Sequence, residues 1–179
     1  LYGHYDDGER FAFFSKSIFK LMEIIDYYPD IIHTNDWQTA LVSIYLDILY
    51  KKEGLYTNIK SVFTIHNIEY QGIYDLGFLE DVIGIGSKYQ EILEYNGLIN
   101  LMKGAIVCAD VVTTVSPRYS REIATNNYAH GLEHIIRINK GKIVGILNGI
   151  NVESYNPETD KDIYENYDIN SIDKKVENK

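Results

Sequence analysis

Residues 31–37, Ile-Ile-His-Thr-Asn-Asp-Trp, set a short β-branched run directly before a polar end, and three later stretches repeat the pattern. They are Phe63-Thr64-Ile65-His66-Asn67, Thr113-Thr114-Val115-Ser116-Pro117 and Ile146-Leu147-Asn148-Gly149. Read as parallel strands, the four runs bring their polar ends to one edge of a sheet, the edge at which open α/β folds bind ligands. The intervening pattern agrees. Ala40, Leu41, Ile44, Tyr45, Ile48 and Leu49 recur with helical spacing after the first strand, as a crossover helix would.

Working outward, Phe11, Phe14, Ile18, Leu21, Met22 and Ile25 predict an amphipathic helix that Pro29 separates from the first strand, Asp30 to His33. Gly54 closes the crossover region, and Ser61 to His66 reads as the second strand. From Asn67 to Lys88 several glycines and no sustained period predict a long loop with one helical turn, while Tyr89 to Ala109 reads as mainly helical. Val111 to Val115 is a further strand. Ser116 is the expected cap of a helix from Arg118 to Ala124, since a proline at the first helical position loses no hydrogen bond. A short helix over Ile135–Ile138, a turn at Asn139-Lys140-Gly141 and a strand from Lys142 to Leu147 follow. The expected fold class is α/β, a parallel sheet with helices on both faces.

With 179 residues and 45% hydrophobic content the chain can bury a sizeable core. A formal charge of -9 and a pI near 5.0 count against a nucleic-acid surface, which needs clustered Lys and Arg. The apolar runs are too short to span a bilayer, and the amino terminus lacks the features of a signal peptide, so a soluble cytoplasmic protein with no membrane partner is expected. The single cysteine, Cys108, excludes an internal disulfide and a multi-cysteine metal cluster, and is expected to fill core space. The start at Leu1 and rapid entry into patterned sequence suggest the middle of a larger protein. The charged segment 159–179 reads as a linker or the start of a following domain, after a first domain over 1–158.

The chemistry sits at the strand ends. Asp36 is placed to cap helix amides, and Trp37 offers a broad apolar face; His33, Asp36 and Trp37 together read either as local packing or as ligand contacts. His66 and Asn67, followed by Tyr70 and Gln71, supply imidazole and amide groups suited to a neutral polyol, although a histidine satisfied within its turn has the same sequence. Asn148 before Gly149 either binds ligand or serves a tight turn. Ser116 to Glu122 reads as a helix start with surface charges. Three other chemistries lack support: His33, Asp36 and His66 have no further cluster to complete a metal site, Ser116 lacks a glycine-flanked elbow, and Gly84-Ile85-Gly86-Ser87 is an incomplete dinucleotide fingerprint.

At these residues the chain resembles bacterial glycogen and plant starch synthases. The matching segments run in family order from YGHYDDGERFAFFSKS through PDIIHTNDWQTAL, SVFTIHNIEYQGIY, NGLINLMKGAIVCADVVTTVSPRYSREI and HGLEHIIR to GKIVGILNGINVESYNPETD. The resemblance implies half of a GT-B fold, in which two Rossmann-like lobes transfer glucose from a nucleotide sugar to the non-reducing end of an α-1,4-glucan with retention. The chain would be most of the N-terminal, acceptor-side domain, inactive alone, with ADP-glucose held mainly by a second domain. The nucleotide sugar is a substrate; no cofactor or metal is implied. His66 matches the family's active-site histidine, and Asp36 would organise the site. Trp37 would shape its wall, Asn67 and Asn148 would contact sugar, and Tyr70 and Gln71 would hold the His66 loop. Lys103 and Arg118 have weaker claims. The chain departs from the family pattern at Asn35, which replaces a commonly small residue within an HxHDW-like stretch whose second His is absent, and at Ser120, Asn151 and Tyr155. Two alternatives accompany this reading, a related GT-B transferase with another acceptor and a non-catalytic glucan-binding module.

Overall fold

A computed structural model describes residues 3–179; Leu1, and Tyr2, which opens the first matching segment, lie outside the described residues. The chain divides into two compact units, the first ending at Leu147 and the second spanning Asn148–Lys179. This division falls ahead of the 158/159 boundary expected from composition.

The first unit is built on a four-stranded parallel sheet. Its strands are β1 (Ile31–Asn35), β2 (Lys60–Ile65), β6 (Val111–Thr114) and β7 (Ile143–Gly145), in the order β1-β2-β6-β7. Register aligns Asn35 with Thr64, and Thr64 with Thr113, so the polar strand ends lie side by side. Alternation then sorts the side chains by face. Thr34, Phe63, Ile65 and Val112 are buried on the face that meets helix α2 (Asp36–Tyr45), where Thr34 Oγ1 and Ser43 Oγ are 2.9 Å apart. Burying a side chain such as Phe63 contributes about 2 kcal/mol, so this face anchors the sheet. On the other face Thr64 Oγ1 lies 2.6 Å from both His33 Nε2 and Thr113 Oγ1, a polar row across three strands, while His33 and Val111 remain exposed.

Helix α1 (Asp7–Ile24) forms where predicted but turns a different stripe inward. Gly8, Ala12, Ser15, Phe19 and Met22 are buried, whereas Phe14, Leu21 and Ile25 are about half exposed. The small residues decide it: a Cβ on Gly8 would come within 2.8 Å of the Phe78 and Tyr74 rings, so only this stripe permits close approach.

The segment expected to be mainly helical is corrected most. Instead of one helix over 89–109 there is a short helix α3 (Gln90–Leu93), strands β4 (Glu94–Tyr95) and β5 (Leu98–Asn100), and only then helix α4 (Leu101–Cys108). Asn96 and Gly97 both take positive φ, 55° and 82°, the geometry of a two-residue hairpin turn, and Asn-Gly is the pair that favours it. Strand β3 (Ile73–Tyr74) pairs with β5 to complete an antiparallel sheet in the order β3-β5-β4. The expected long loop is therefore partly structured, with further π-helical and 3₁₀ turns at Leu79–Ile83 and Ser87–Tyr89 and with Phe78, Leu79, Ile83 and Ile85 buried.

Helix α5 (Pro117–Glu122) starts as the sequence predicts. Ser116 Oγ accepts the Tyr119 N–H at 2.9 Å and Pro117 occupies the first turn. Helix α6 (Glu133–Ile138) completes the unit, and Cys108 is buried in its core, where burial pushes the thiol's pKa up. The second unit buries none of its residues. Polar contacts hold it: Asn166 Nδ2 donates to the carbonyls of Pro157 and Asp160 at 2.9 and 2.7 Å, ahead of a final 3₁₀ turn over Ile172–Asn178. No helix among the described residues is long and apolar enough to cross a membrane.

Candidate functional site

The carboxyl ends of β1 and β2 meet through one aspartate. Asp36 has φ 53°, a left-handed conformation that Asp tolerates better than most residues, and it departs there from the strand geometry before it. Its carboxylate does not cap the helix it begins, contrary to the sequence expectation. Oδ1 reaches across to the next strand and accepts the main-chain N–H of His66 at 2.8 Å and of Asn67 at 3.4 Å. Asn35 occupies the cap position but makes no side-chain cap; the Thr39 hydroxyl accepts the Asn35 N–H at 2.6 Å and donates to the Asn35 carbonyl at 2.7 Å.

The chain beyond His66 is tied at successive points. Asn67 Oδ1 accepts the Glu69 N–H at 3.0 Å, a local turn of the kind Asn favours. The Tyr119 hydroxyl, from α5, accepts the Ile68 N–H at 3.2 Å. Gln71 is buried, donating from Nε2 to the carbonyls of Ile68 and His130 at 3.1 and 3.0 Å and accepting from Asn100 Nδ2 at 2.6 Å. Asn100 Oδ1 in turn caps α4 by accepting the Lys103 N–H at 2.9 Å. Tyr119 and Asn100 were not singled out in the sequence, because their partners lie 51 and 29 residues away.

Trp37 packs edge-on to Phe11 at 5.2 Å between ring centroids and lies 6.3 Å from Tyr74, which stacks on Phe78 at 3.9 Å. Gly72, at φ 66°, lets the loop backbone approach the indole: a Cβ there would sit 2.7 Å from Trp37 Cε3. The indole is thereby wedged between α1 and the loop.

These elements enclose a cavity of about 470 Å³ lined by Gly3, Asp7, Asp36, Trp37, Gln38, Asn67 and Tyr70. Its walls are carboxylate, amide and aromatic. Burial acts to raise the Asp7 carboxyl pKa, but the Gly3 and His4 N–H groups and the Arg10 guanidinium outweigh it and hold it below the usual range. Tyr70 is exposed on this wall and makes no hydrogen bond to the loop among the described residues, whereas Gln71 makes three. His66 is exposed and does not line the cavity; its ring Nε2 lies 2.9 Å from Asn35 Oδ1. Asn148 is exposed and begins the second unit, so it is described apart from the other candidates. A larger groove of about 720 Å³ along α1, lined by residues including Phe13, Leu21, Ile24 and Val82, lacks the imidazole and amides that mark the sheet edge. Lys103 and Arg118 are engaged elsewhere: Lys103 Nζ donates to the carbonyls of Glu91 and Glu94, and Arg118 pairs with Glu122 at 2.7 Å. No group of three or more potential metal ligands occurs among the described residues.

A parallel sheet with flanking helices and a polar cavity at the carboxyl ends of its strands defines an open α/β ligand-binding domain. The chain belongs to the starch synthase catalytic domain family, which it matches over residues 1–138, and it forms part of the N-terminal, Rossmann-like half of the GT-B fold. Over its whole length it is 45% identical to a glycogen synthase of Clostridioides difficile and 42% identical to one of Geobacillus stearothermophilus, covering 38% and 37% of those proteins. It thus spans little more than a third of the length of these curated relatives. A solved catalytic domain of starch synthase IV from Arabidopsis thaliana, bound to ADP and acarbose, superposes with a TM-score of 0.80 at 35% identity, over 96% of this chain and 36% of that one.

Proposed function

We propose that this chain is the acceptor-side portion, residues 1–158, of a retaining α-glucan synthase, with 159–179 leading into a nucleotide-binding domain. The full enzyme transfers glucose from ADP-glucose to the non-reducing end of an α-1,4-glucan, and the chain by itself is inactive. The observation that carries this reading is the convergence of Asp36, Trp37, Asn67 and Tyr70 on one cavity beside His66. An aromatic wall packs against the apolar face of a pyranose, and amides and a carboxylate meet its vicinal hydroxyls.

The division of labour follows from charge. Transfer leaves a diphosphate and develops positive charge at the anomeric carbon, so cations must meet the leaving group. Among the described residues the cavity lining contains no Lys or Arg. A facing lobe supplies them, and closure excludes the water that would hydrolyse the donor. On this side His66 orients a sugar hydroxyl, Asp36 fixes the main chain that carries it, and Asn67 and Asn148 contact sugar. Gln71 supports the loop, and Tyr70, expected to do the same, lines the cavity instead. Proton transfer from the acceptor falls to the leaving phosphate on the donor's own face.

Steady-state assays of the chain and of the full-length protein, with ADP-glucose or UDP-glucose and a glucan acceptor, test this. Turnover is expected from the full-length protein alone, and vigorous transfer by the isolated chain would refute the division of labour. In the full-length protein His66→Ala should lower turnover by about 100-fold, and a near-normal rate would remove His66 from the mechanism.

A further inference from the structure

We propose that Asn35 is a positioning residue that selects the tautomer of His66, holding the proton on Nε2 and leaving Nδ1 as the ring's free acceptor. Asn35 Oδ1 lies 2.9 Å from His66 Nε2. A carbonyl oxygen can only accept, so the bond requires hydrogen on Nε2, and in the neutral ring Nδ1 then carries a lone pair. The ring presents an acceptor to a ligand hydroxyl; the opposite tautomer would present a donor.

Two features of the backbone make this a constructed contact. Successive residues of a strand point to opposite faces, so Asn35 and Asp36 would ordinarily diverge. The φ of 53° at Asp36 breaks the alternation and turns both side chains toward one residue: Asp36 takes the main-chain N–H of His66, and Asn35 takes the ring. An Asn at a helix start also commonly spends its side chain on a helix amide. Asn35 makes no such cap, and Thr39 holds its main chain at both N–H and C=O, leaving the amide to the imidazole.

That Nδ1 faces a sugar hydroxyl rests on the function proposed above; the tautomer does not. The test is a long-range ¹H–¹⁵N correlation spectrum of the 15N-labelled chain at alkaline pH, with the His66 ring identified by its loss in His66→Gln. The expected spectrum has pyrrole-type Nε2 and pyridine-type Nδ1 as a single form. Asn35→Leu should collapse the two signals toward the averaged positions of mixed tautomers, and Asn35→Asp, which keeps an acceptor oxygen, should restore their separation. Backbone amide spectra establish that each variant is folded. A wild-type ring protonated at Nδ1, or ring signals that Asn35→Leu leaves in place, would overturn the assignment whatever the activity of the full-length enzyme.

Discussion

At the amino end of the sheet Asp110 grips β2, and at the carboxyl end Asp36 does the same, but the two carboxylates are consumed to different extents. Asp110 Oδ2 accepts the Ser61 N–H at 2.8 Å and the Ser61 hydroxyl at 3.2 Å and meets Lys51 Nζ at 3.2 Å, while Oδ1 meets Lys60 Nζ at 3.3 Å. Burial alone would raise its pKa; the Ser61 N–H and the two lysines overcome this and hold it down at about 2. Asp36 spends only Oδ1 on protein, and among the described residues no donor meets Oδ2. One aspartate is a structural clasp with both oxygens engaged. The other also ties two strands together, yet it lines a cavity and leaves Oδ2 without a donor among the described residues.

The sharpest way to break this contrast is to exchange the consequences. Asp36→Ala in the full-length protein should lower glucosyl transfer by about 100-fold, since a misplaced reacting group costs that much, beyond a stability cost of about 1–2 kcal/mol for Ala at a left-handed φ. A large fall in midpoint without a specific loss of turnover would make Asp36 a second Asp110. Asp110→Asn should do the opposite, costing on the order of 2 kcal/mol of stability at pH 7. Because the folded-state pKa of Asp110 is depressed from 3.8 to about 2, its contribution is complete above about pH 4 and disappears as pH falls through about 2. Denaturant melts of wild type and variant should therefore converge on acidification; a gap that persists near pH 2 would contradict the ion-pair account.

Smaller effects sharpen the picture. Gly72→Ala combines a left-handed φ with a Cβ placed against the Trp37 ring. It should cost about 1–2 kcal/mol and blue- or red-shift the fluorescence of the only tryptophan; an unchanged emission spectrum would show that the indole does not sense the loop. Lys60→Ala removes the more exposed arm of the Asp110 clasp, 64% exposed against 18% for Lys51. Its cost should stay below about 1 kcal/mol, as for other exposed pairs, and a loss matching Asp110→Asn would shift the clasp's weight onto Lys60.

Much of the fold was legible because its signals are local. Three of the β-branched runs with polar ends predicted β1, β2 and β6; the strand expected from Lys142 to Leu147 forms only over Ile143–Gly145, so the run at Ile146-Leu147-Asn148 lies past its end, and Ser116-Pro117 announced α5. The misreading at 89–109 was also local: Asn96-Gly97 carried the hairpin signal, but the apolar spacing around it matched a helix equally well. In α1 the periodicity was correct and the buried stripe was not, because two adjoining stripes are apolar and the choice depends on what approaches Gly8. The candidate residues divide in the same way. His66, Asn67, Asp36 and Trp37 stand out by type and by position at strand ends, whereas Tyr119 and Asn100 do not.

Sequence alone determined the main parallel strands, their order and the chemical character of one sheet edge, since period, turn residues and strand ends are written in neighbours a few positions apart. Tertiary structure alone decided what each polar group does. The bond from His66 to Asp36 joins residues 30 apart, and that from its ring to Asn35 joins residues 31 apart. Both depend on the β1–β2 register and on one left-handed φ, and a partner selected through the backbone's path in space leaves no mark on the residues beside it in the chain.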